Sequence, residues 1–527
     1  MSYDVPLFPL PQTPAGDDPA SVAVNGPQAA GNYVGICFSG GGSRALSAAM
    51  GQLRGLKALG VLDDVFFMSS VSGGTWASAL YAYLPASFSE DDFLGPVVAP
   101  QDITVSSIGQ LPPNNLGSIP PQLSLDNILG TLVSLIDQGY SADSLWQGLV
   151  GTYILQPFGL WNQNFNGYPD KYYSLSKGFL ELNGGILQRN PKLKASQFYV
   201  MERNRPFLVM NGSLVSNPTV DGSQLLPFES TQANLGVRNL FPSIGPSGQD
   251  VGGGLMEAFG MGSAWQQDLE DNLVKTTEPA RPFSLCDVAG ISSAAFAETF
   301  QAKFPWLDFL VPAYPYWPVY DHEAPTNAAY SYEFADGGSL EDTGITALLS
   351  RNLPNVIAFV NGATPLQKVG DEIVLDSQVQ LLFGVTPTPE SLRRKEVYRK
   401  PIPNDDPTFT QVFDSADYNA LAEGLWAANS AGGPAMFTQT LTTVPNANFG
   451  IKSYTVRVLW VYNTFVQDWY NLLEDAMQWV VDFTLNFPNY DTVLQLNLSA
   501  TEVNLLANLS CWNLQTNADM VLSLFNG

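Results

Sequence analysis

Short apolar runs that end in turns of glycine and serine recur along the chain. Val34–Phe38 and Val65–Met68 are two such runs, and each is followed by a segment with apolar residues at three- and four-residue steps, over 44–59 and 76–84. Runs that are apolar at every position are typical of strands buried on both faces of a parallel sheet, and the wider spacing predicts helices. The pattern therefore predicts an α/β fold with a mostly parallel central sheet flanked by helices.

The same pattern continues through the second half of the chain. It predicts further strands at 207–210, 332–335, 356–360 and 456–462. One amphipathic helix is predicted over 465–483, with the following residues on or near one face and packed in the core: Trp469, Leu472, Leu473, Met477 and Trp479.

Stretches rich in proline, glycine and asparagine interrupt the pattern and predict the domain organisation. Residues 1–32, rich in proline, are expected to form an extended N-terminal arm. Residues 33–527 are expected to form a single α/β domain, in which the Pro-, Gly- and Asn-rich stretch of about 86–195 is an insertion that acts as a cap or lid.

Composition and charge exclude several classes of binding site and catalytic mechanism. The 23 basic and 49 acidic residues give a formal net charge of −26, which opposes binding to nucleic acid. The single histidine, His322, excludes His-rich zinc sites and mechanisms that need two imidazoles, and the three widely spaced cysteines form no metal motif. We expect neither a metal nor a cofactor. The sequence contains neither a secretory signal nor an unbroken apolar span, so we expect a cytoplasmic protein, with leaderless export left open.

Three glycine-containing turns follow apolar runs, at 40–44, 70–74 and 336–338. Ligands of open α/β sheets bind at the carboxyl ends of the strands, and three turns at that edge could converge on one site. Within the second turn, Ser72 resembles the serine of a nucleophile elbow, although Ser70 stands where glycine is usual.

The first and third turns could complete such a site. Consecutive main-chain N–H groups at Gly40–Gly42 could bind negative charge that develops on a carbonyl oxygen, and Arg44 could add a positive charge there. A dinucleotide-binding alternative fits the glycine spacing but not the placement of the acidic residues. Asp336 could accept the serine proton if an apolar pocket raises its pKa, and His322 is interpreted as structural because its chain order does not fit a hydrolase triad.

Taken together, the segments GGGSR, SVSGGTW and ADGG closely resemble the catalytic domain shared by lysophospholipases and cytosolic phospholipases A, relatives of the patatin-like acyl hydrolases. Three further segments are similar to that family: PFESTQANLG at 227–236, GISSAAFA at 290–297, and LNLSATEVNLLANL near the C-terminus. The resemblance spans most of residues 33–515.

The resemblance implies a Ser-Asp dyad and an acyl-serine intermediate. Ser72 would attack the ester carbonyl and Asp336 would accept its proton. The N–H groups of Gly41, Gly42 and Gly73 would form the oxyanion hole, and Arg44 would occupy the position of the family's motif arginine, which favours a lipid phosphate.

The implied substrates are phospholipids or lysophospholipids, met in transient contact with a lipid interface. The net charge of −26 favours zwitterionic or neutral lipid over anionic bilayers. The aromatic stretch 304–320 could form a lid that touches lipid. Two alternatives stay open: acyl transfer from lipid esters to an alcohol, and a catalytically weak lipid-binding protein of the same fold. Positional preference and oligomeric state do not follow from the sequence.

Overall fold

A computed structural model describes residues 2–9, 33–141, 144–162, 171–217, 224–269, 272–295, 311–316, 330–387, 408–492 and 496–526. The strands are β1 Ser2–Pro9, β2 Val34–Phe38, β3 Val65–Val71, β4 Tyr172–Ser174, β5 Phe198–Val200, β6 Phe207–Val215, β7 Leu225–Thr231, β8 Asn234–Gly236, β9 Leu240–Phe241, β10 Val251–Gly252, β11 Gly254–Glu257, β12 Trp265–Asp268, β13 Leu273–Thr277, β14 Ala313–Tyr316, β15 Tyr330–Asp336, β16 Asn355–Val360, β17 Gln367–Val369, β18 Glu372–Val374, β19 Met436–Thr442 and β20 Thr455–Tyr462. The α-helices are α1 Gly42–Ala58, α2 Gly73–Tyr83, α3 Glu90–Leu94, α4 Val105–Ile108, α5 Leu125–Asp137, α6 Leu145–Val150, α7 Lys177–Glu181, α8 Ile186–Arg189, α9 Leu285–Ser292, α10 Ile345–Leu349, α11 Ser377–Leu382, α12 Tyr418–Ser430, α13 Gln467–Asn471, α14 Asp475–Phe483, α15 Ala500–Thr516 and α16 Ala518–Phe525.

One large mixed sheet of 14 strands organises the chain. Its centre is parallel, in the order β6-β3-β2-β16-β20, while its other ladders are antiparallel. The prediction of a mostly parallel sheet is therefore wrong. The reason is connection length: β7 ends at Thr231 and β8 begins at Asn234, and a parallel pair needs a crossover of about a dozen residues.

Apolar side chains on both faces of the sheet form two cores. Along β2, Ile36 and Phe38 point into the core that α1 and α2 cover, whereas Cys37 points into the core that contains α10 and α11. This alternation explains why the run is apolar at every position. The α/β class and the flanking helices agree with the prediction.

The N-terminal residues add a strand to the antiparallel side of the sheet. β1 pairs with β11 on one edge and with β13 on the other. Tyr3, Val5 and Leu7 are buried, at alternate positions, as a strand with one covered face requires. Residues 2–9 of the predicted arm are thus part of the sheet, and residues 10–32 lie outside the described ones.

The predicted helix over 465–483 is wrong as a single element. Glu474 has extended backbone angles, φ −63° and ψ 151°, so the segment forms α13 and α14 instead. Trp469 and Met477 are buried as expected, but Trp479 is 62% exposed. The break in the helix turns part of its apolar surface toward solvent.

The described residues of 86–195 form the helices α3 to α8 and one strand, β4, which pairs with β5 outside the large sheet. Their division from the rest as a cap or lid stays a prediction. Among the described residues, no helix is both long and apolar enough to cross a membrane.

Candidate active site

Two strands bring Ser72 and Asp336 together along one edge of β6. β3 pairs with the first half of that edge in parallel, ending with Val71 opposite Asn211. β15 pairs with the second half in the antiparallel direction, ending with Asp336 opposite Gly212. Because the two strands run toward each other, their carboxyl ends meet. Ser72 Oγ donates a hydrogen bond of 2.9 Å to Asp336 Oδ2.

Ser72 occupies a strained turn between β3 and α2. Its backbone angles are φ 52° and ψ −122°, a region that side chains other than glycine rarely occupy. The side chain is buried, with 4% of the residue exposed. Strand, strained serine and helix in this order are the structural context of a nucleophile elbow.

Main-chain and side-chain donors hold the Asp336 carboxylate in place. Oδ1 accepts the N–H of Gly338 at 2.7 Å, and Oδ2 accepts the N–H of Ala295 at 3.3 Å. Ser213 Oγ donates to the main-chain oxygen of Asp336 at 3.1 Å. With Asp336 only 2% exposed, these contacts orient the carboxylate toward Ser72. The expectation that an apolar pocket raises the pKa of Asp336 stays a prediction.

The glycine turn before α1 abuts the serine turn before α2. Gly41 and Gly42 have φ values of 128° and 55°, which glycine adopts without strain. A Cβ atom on Gly73 would overlap the main chain of Gly42, so only glycine fits there. Within the described part of the chain, no group accepts a hydrogen bond from the N–H of Gly41 or Gly42. Gly41, Gly42 and Gly73 therefore lie together beside Ser72.

Arg44 fastens this turn to a distant segment. It is buried, its Nε donates to the main-chain oxygen of Asn361 at 2.7 Å, and its Nη1 donates to the main-chain oxygen of Tyr490. Thr492 Oγ1 donates to the main-chain oxygen of Gly41 at 2.5 Å. The guanidinium group thus positions the glycine turn, and its contact with a substrate phosphate stays a prediction.

Ser292 at the end of α9 holds the main chain of the serine turn through hydrogen bonds, a role that the sequence did not predict. Its Oγ accepts the main-chain N–H of Ser72 at 3.0 Å and donates to the main-chain oxygen of Asn211 at 2.6 Å. Thr75 Oγ1 lies 2.8 Å from Ser292 Oγ. The signal was the segment 290–297, which resembled the family but carried no assigned role.

Ser70 fits its position because hydroxyl groups surround it. Its Oγ lies 2.6 Å from Ser78 Oγ and accepts a hydrogen bond of 3.1 Å from Thr75 Oγ1. All three residues are buried. The departure from glycine is thus accommodated by a small neighbour one helical turn into α2.

Asp342 lies between the first and third turns and was also missed. Its main-chain oxygen accepts the N–H of Gly40 at 3.0 Å. A Cβ atom on Gly40 or on Gly338 would overlap its carboxylate. Asp342 therefore links the glycine turn to the Asp336 turn.

An apolar cavity lies beside α2. Trp76, which donates its main-chain N–H to Ser72 at 3.2 Å, contributes to its wall. The other lining residues come mainly from the predicted insertion: Leu123, Ile128, Trp146, Leu149, Val150, Tyr153, Ile154 and Leu496. His322 lies outside the described residues, as does the predicted lid 304–320 except for 311–316.

Comparisons with known proteins find curated relatives for part of the chain. It is 37% identical over 123 residues to human cytosolic phospholipase A2 zeta, 23% of this chain and 13% of that protein. It is 40% identical over 84 residues to human cytosolic phospholipase A2 beta, 16% of this chain and 11% of that protein. The aligned part thus spans about an eighth of the length of these relatives. No family model matches the chain.

Among solved structures, human GIVD cytosolic phospholipase A2 aligns with 94% of this chain and 60% of its own, at a TM-score of 0.47 and 15% identity. The sequence relatives confirm the resemblance to the catalytic domain of cytosolic phospholipases that the motifs predict.

Proposed function

We propose that this chain is a lipid acyl hydrolase of the phospholipase A and lysophospholipase kind, which cleaves carboxylic esters of glycerophospholipids through an acyl-serine. One observation carries the proposal: Ser72 Oγ, on a strained turn at the start of α2, donates to Asp336 Oδ2 at 2.9 Å. The relatives named cytosolic phospholipase A2 support the lipid ester as the substrate class.

Acylation begins at this hydrogen bond. Ser72 Oγ attacks the ester carbonyl carbon while its proton moves to Asp336. The tetrahedral intermediate then collapses, the bond to the leaving alcohol breaks, and the proton on Asp336 passes to that alcohol oxygen. The fatty acyl group is left on Ser72 as an ester.

Deacylation repeats the sequence with water. Asp336 takes a proton from a water molecule while the water oxygen attacks the carbonyl carbon of the acyl-serine. That proton passes to Ser72 Oγ as the fatty acid leaves. A carboxylate held by the N–H groups of Gly338 and Ala295 changes its protonation state without changing its position. One rigid carboxylate can thus serve both half-reactions.

Main-chain N–H groups bind the negative charge in both intermediates. Gly41, Gly42 and Gly73 lie at the starts of α1 and α2, where helix N–H groups have no partner within the helix. Such donors stabilise an oxyanion by about 3–4 kcal/mol each. The helix dipoles add to this because both N-termini are positive.

The apolar cavity beside Trp76 marks where a fatty acyl chain would pack, although its volume of about 20 Å³ is far too small for the chain unless its walls move apart. It lies one turn of α2 from Ser72, and its lining is almost wholly aliphatic and aromatic. An acyl chain that enters it would leave its ester near the nucleophile and its head group toward solvent. The net charge of −26 favours a zwitterionic over an anionic head group.

Active-site labelling tests the proposal directly. A fluorophosphonate should form a covalent adduct on Ser72, mapped by peptide mass spectrometry, and the purified protein should release fatty acid from phosphatidylcholine or lysophosphatidylcholine. His322→Ala should retain most of the activity, because the dyad needs no imidazole. Labelling at another residue, or full loss in the histidine variant, would reject the dyad. Product analysis with an added alcohol separates hydrolysis from acyl transfer.

A further inference from the structure

Helix α14 has more apolar surface than the fold buries. Met477 and Val481 point into a small core shared with α4, α13 and α15. Trp479 and Phe483 point outward, 62% and 68% exposed, and their rings are in contact, tilted at 40° with centroids 4.5 Å apart. Leu485, just after the helix, is 81% exposed. We call Trp479, Phe483 and Leu485 the aromatic patch.

The helix is polar on one side only. Asp475, Gln478 and Asp482 recur at helical spacing on that side. The remaining apolar arc is wider than the core contact needs, so half of it is covered by protein and half faces solvent. Helices that lie in membrane interfaces also have Trp and Phe on an exposed apolar side, although their polar side is usually basic and that of α14 is acidic.

The aromatic patch lies on a segment that leaves and rejoins the edge of the sheet where Ser72 lies. The segment leaves at Asn463, whose N–H donates to Val360, the last residue of β16. It returns at Asn489, whose Nδ2 donates to the main-chain oxygens of Gly362 and Asn463. The next residue, Tyr490, accepts from Arg44. The segment that carries the patch is therefore hydrogen-bonded at both ends to this edge of the sheet.

The size and charge of the patch select its occupant. Three exposed side chains present roughly 400 Å² of apolar surface, about half of what each partner of a stable protein interface buries. No Lys or Arg occurs from 458 to 527, while Glu474, Asp475 and Asp482 are exposed beside the patch. A second copy of this acidic chain and an anionic surface are both repelled. A neutral, zwitterionic lipid surface is not.

We propose that the aromatic patch docks the protein on zwitterionic phospholipid surfaces, with Trp479, Phe483 and Leu485 inserted at the level of the head groups. This inference rests on the proposed function, because it assigns the surface on which that site meets its substrate.

Vesicle binding tests the patch apart from catalysis. The variant W479S/F483S/L485S should float with phosphatidylcholine vesicles at least about tenfold less than the parent, because the inserted apolar surface is lost. It should release acid from vesicle phosphatidylcholine correspondingly more slowly, while it hydrolyses a short-chain ester dissolved as monomers at the parental rate. The single variant W479S should show a smaller decrease in binding.

Two controls keep the outcomes distinct. Leu240 and Val369 are exposed apolar residues outside the patch, and their replacement by Ser should leave vesicle binding unchanged. Ser72→Ala should bind vesicles like the parent, so that hydrolysis by this variant would reject the proposed function without touching the patch. Unchanged vesicle binding by the triple variant would overturn the docking proposal. So would a parental dimer that the triple substitution converts to a monomer.

Discussion

The two strands that deliver the dyad reach β6 in different ways. β3 lies in the parallel centre, and its residue Ser72 follows the strand at the start of α2. β15 runs antiparallel to β6, in line with β3 but toward it, and Asp336 is its last residue. We expected three carboxyl-terminal turns to share one edge of a parallel sheet. Ser72 and Asp336 do meet, but β15 reaches Ser72 antiparallel to β6 and not as a parallel strand. β3 and β15 point toward each other along one edge of β6, so their carboxyl ends meet although they are not neighbouring parallel strands.

The largest effect should come from removing either side chain of the Ser72–Asp336 pair. Ser72→Ala or Asp336→Ala should each lower the rate of acyl release by about 10⁴-fold or more, because each removes one half of a 2.9 Å proton-transfer pair. The rates of fatty acid release from lysophosphatidylcholine measure this.

The double variant sharpens the test. Residues that act as one unit are not additive, so S72A/D336A should be no slower than S72A. A double variant much slower than either single variant would mean that Ser72 and Asp336 act in different steps.

The sequence predicted the parallel side well and the antiparallel side poorly. Val34–Phe38 is a strand with the predicted bounds, because a run buried on both faces is apolar throughout. The direction of β15 could not be predicted, since a single strand's pattern is the same in either orientation. Ser292 and Asp342 escaped notice for a related reason. Their roles are hydrogen bonds to main-chain atoms of distant residues, which come together only after folding and which no local pattern encodes.

The next effect should come from the contact between the two glycine-rich turns on the parallel side. Gly73→Ala would place a methyl group on the main chain of Gly42 and push the two helix N-termini apart. We expect at least a 100-fold lower rate of acyl release, since oxyanion donors act only at hydrogen-bond distance. Steady-state kinetics on a soluble ester measure it.

Gly130 offers the matched control. It lies in α5, and an added Cβ would meet nothing within 4 Å. Gly130→Ala should leave the rate unchanged and stabilise the fold by up to about 1 kcal/mol through helix propensity. Equal rates for the Gly73 variant and the parent would show that the contact between the turns does not set the site.

On the antiparallel side the expected effect is on stability. Glu229 in β7 lies opposite Asn211 of β6 and binds Arg351 at 2.8 Å and Arg238 at 3.1 Å. Glu229→Gln removes the buried carboxylate that both guanidinium groups bind, which should lower the free energy of unfolding by about 3–5 kcal/mol. Urea titration at neutral pH measures this loss.

The pH dependence of that loss has a definite sign. Burial raises the pKa of Glu229, but Arg351 and Arg238 outweigh it and hold the pKa below the ordinary 4.5. The carboxylate therefore contributes stability above about pH 4.5 that disappears as pH falls through the lower folded value. The difference between parent and Gln variant should shrink across that acid range. A difference that stays constant would assign the loss to packing.

The smallest effect should come from restoring glycine at the elbow. Ser70→Gly removes a hydroxyl that Ser78 and Thr75 engage, and it adds backbone freedom to the end of β3. We expect a loss of about 1–2 kcal/mol in the free energy of unfolding, from one buried hydrogen-bonded group and the entropy of glycine. The rate of acyl release should change by only a few fold, because Ser292 Oγ still accepts the N–H of Ser72 and fixes the strained turn. A rate that falls as far as in Gly73→Ala would show instead that the hydroxyl cluster, not the glycine contact, sets the angle at which Ser72 meets Asp336.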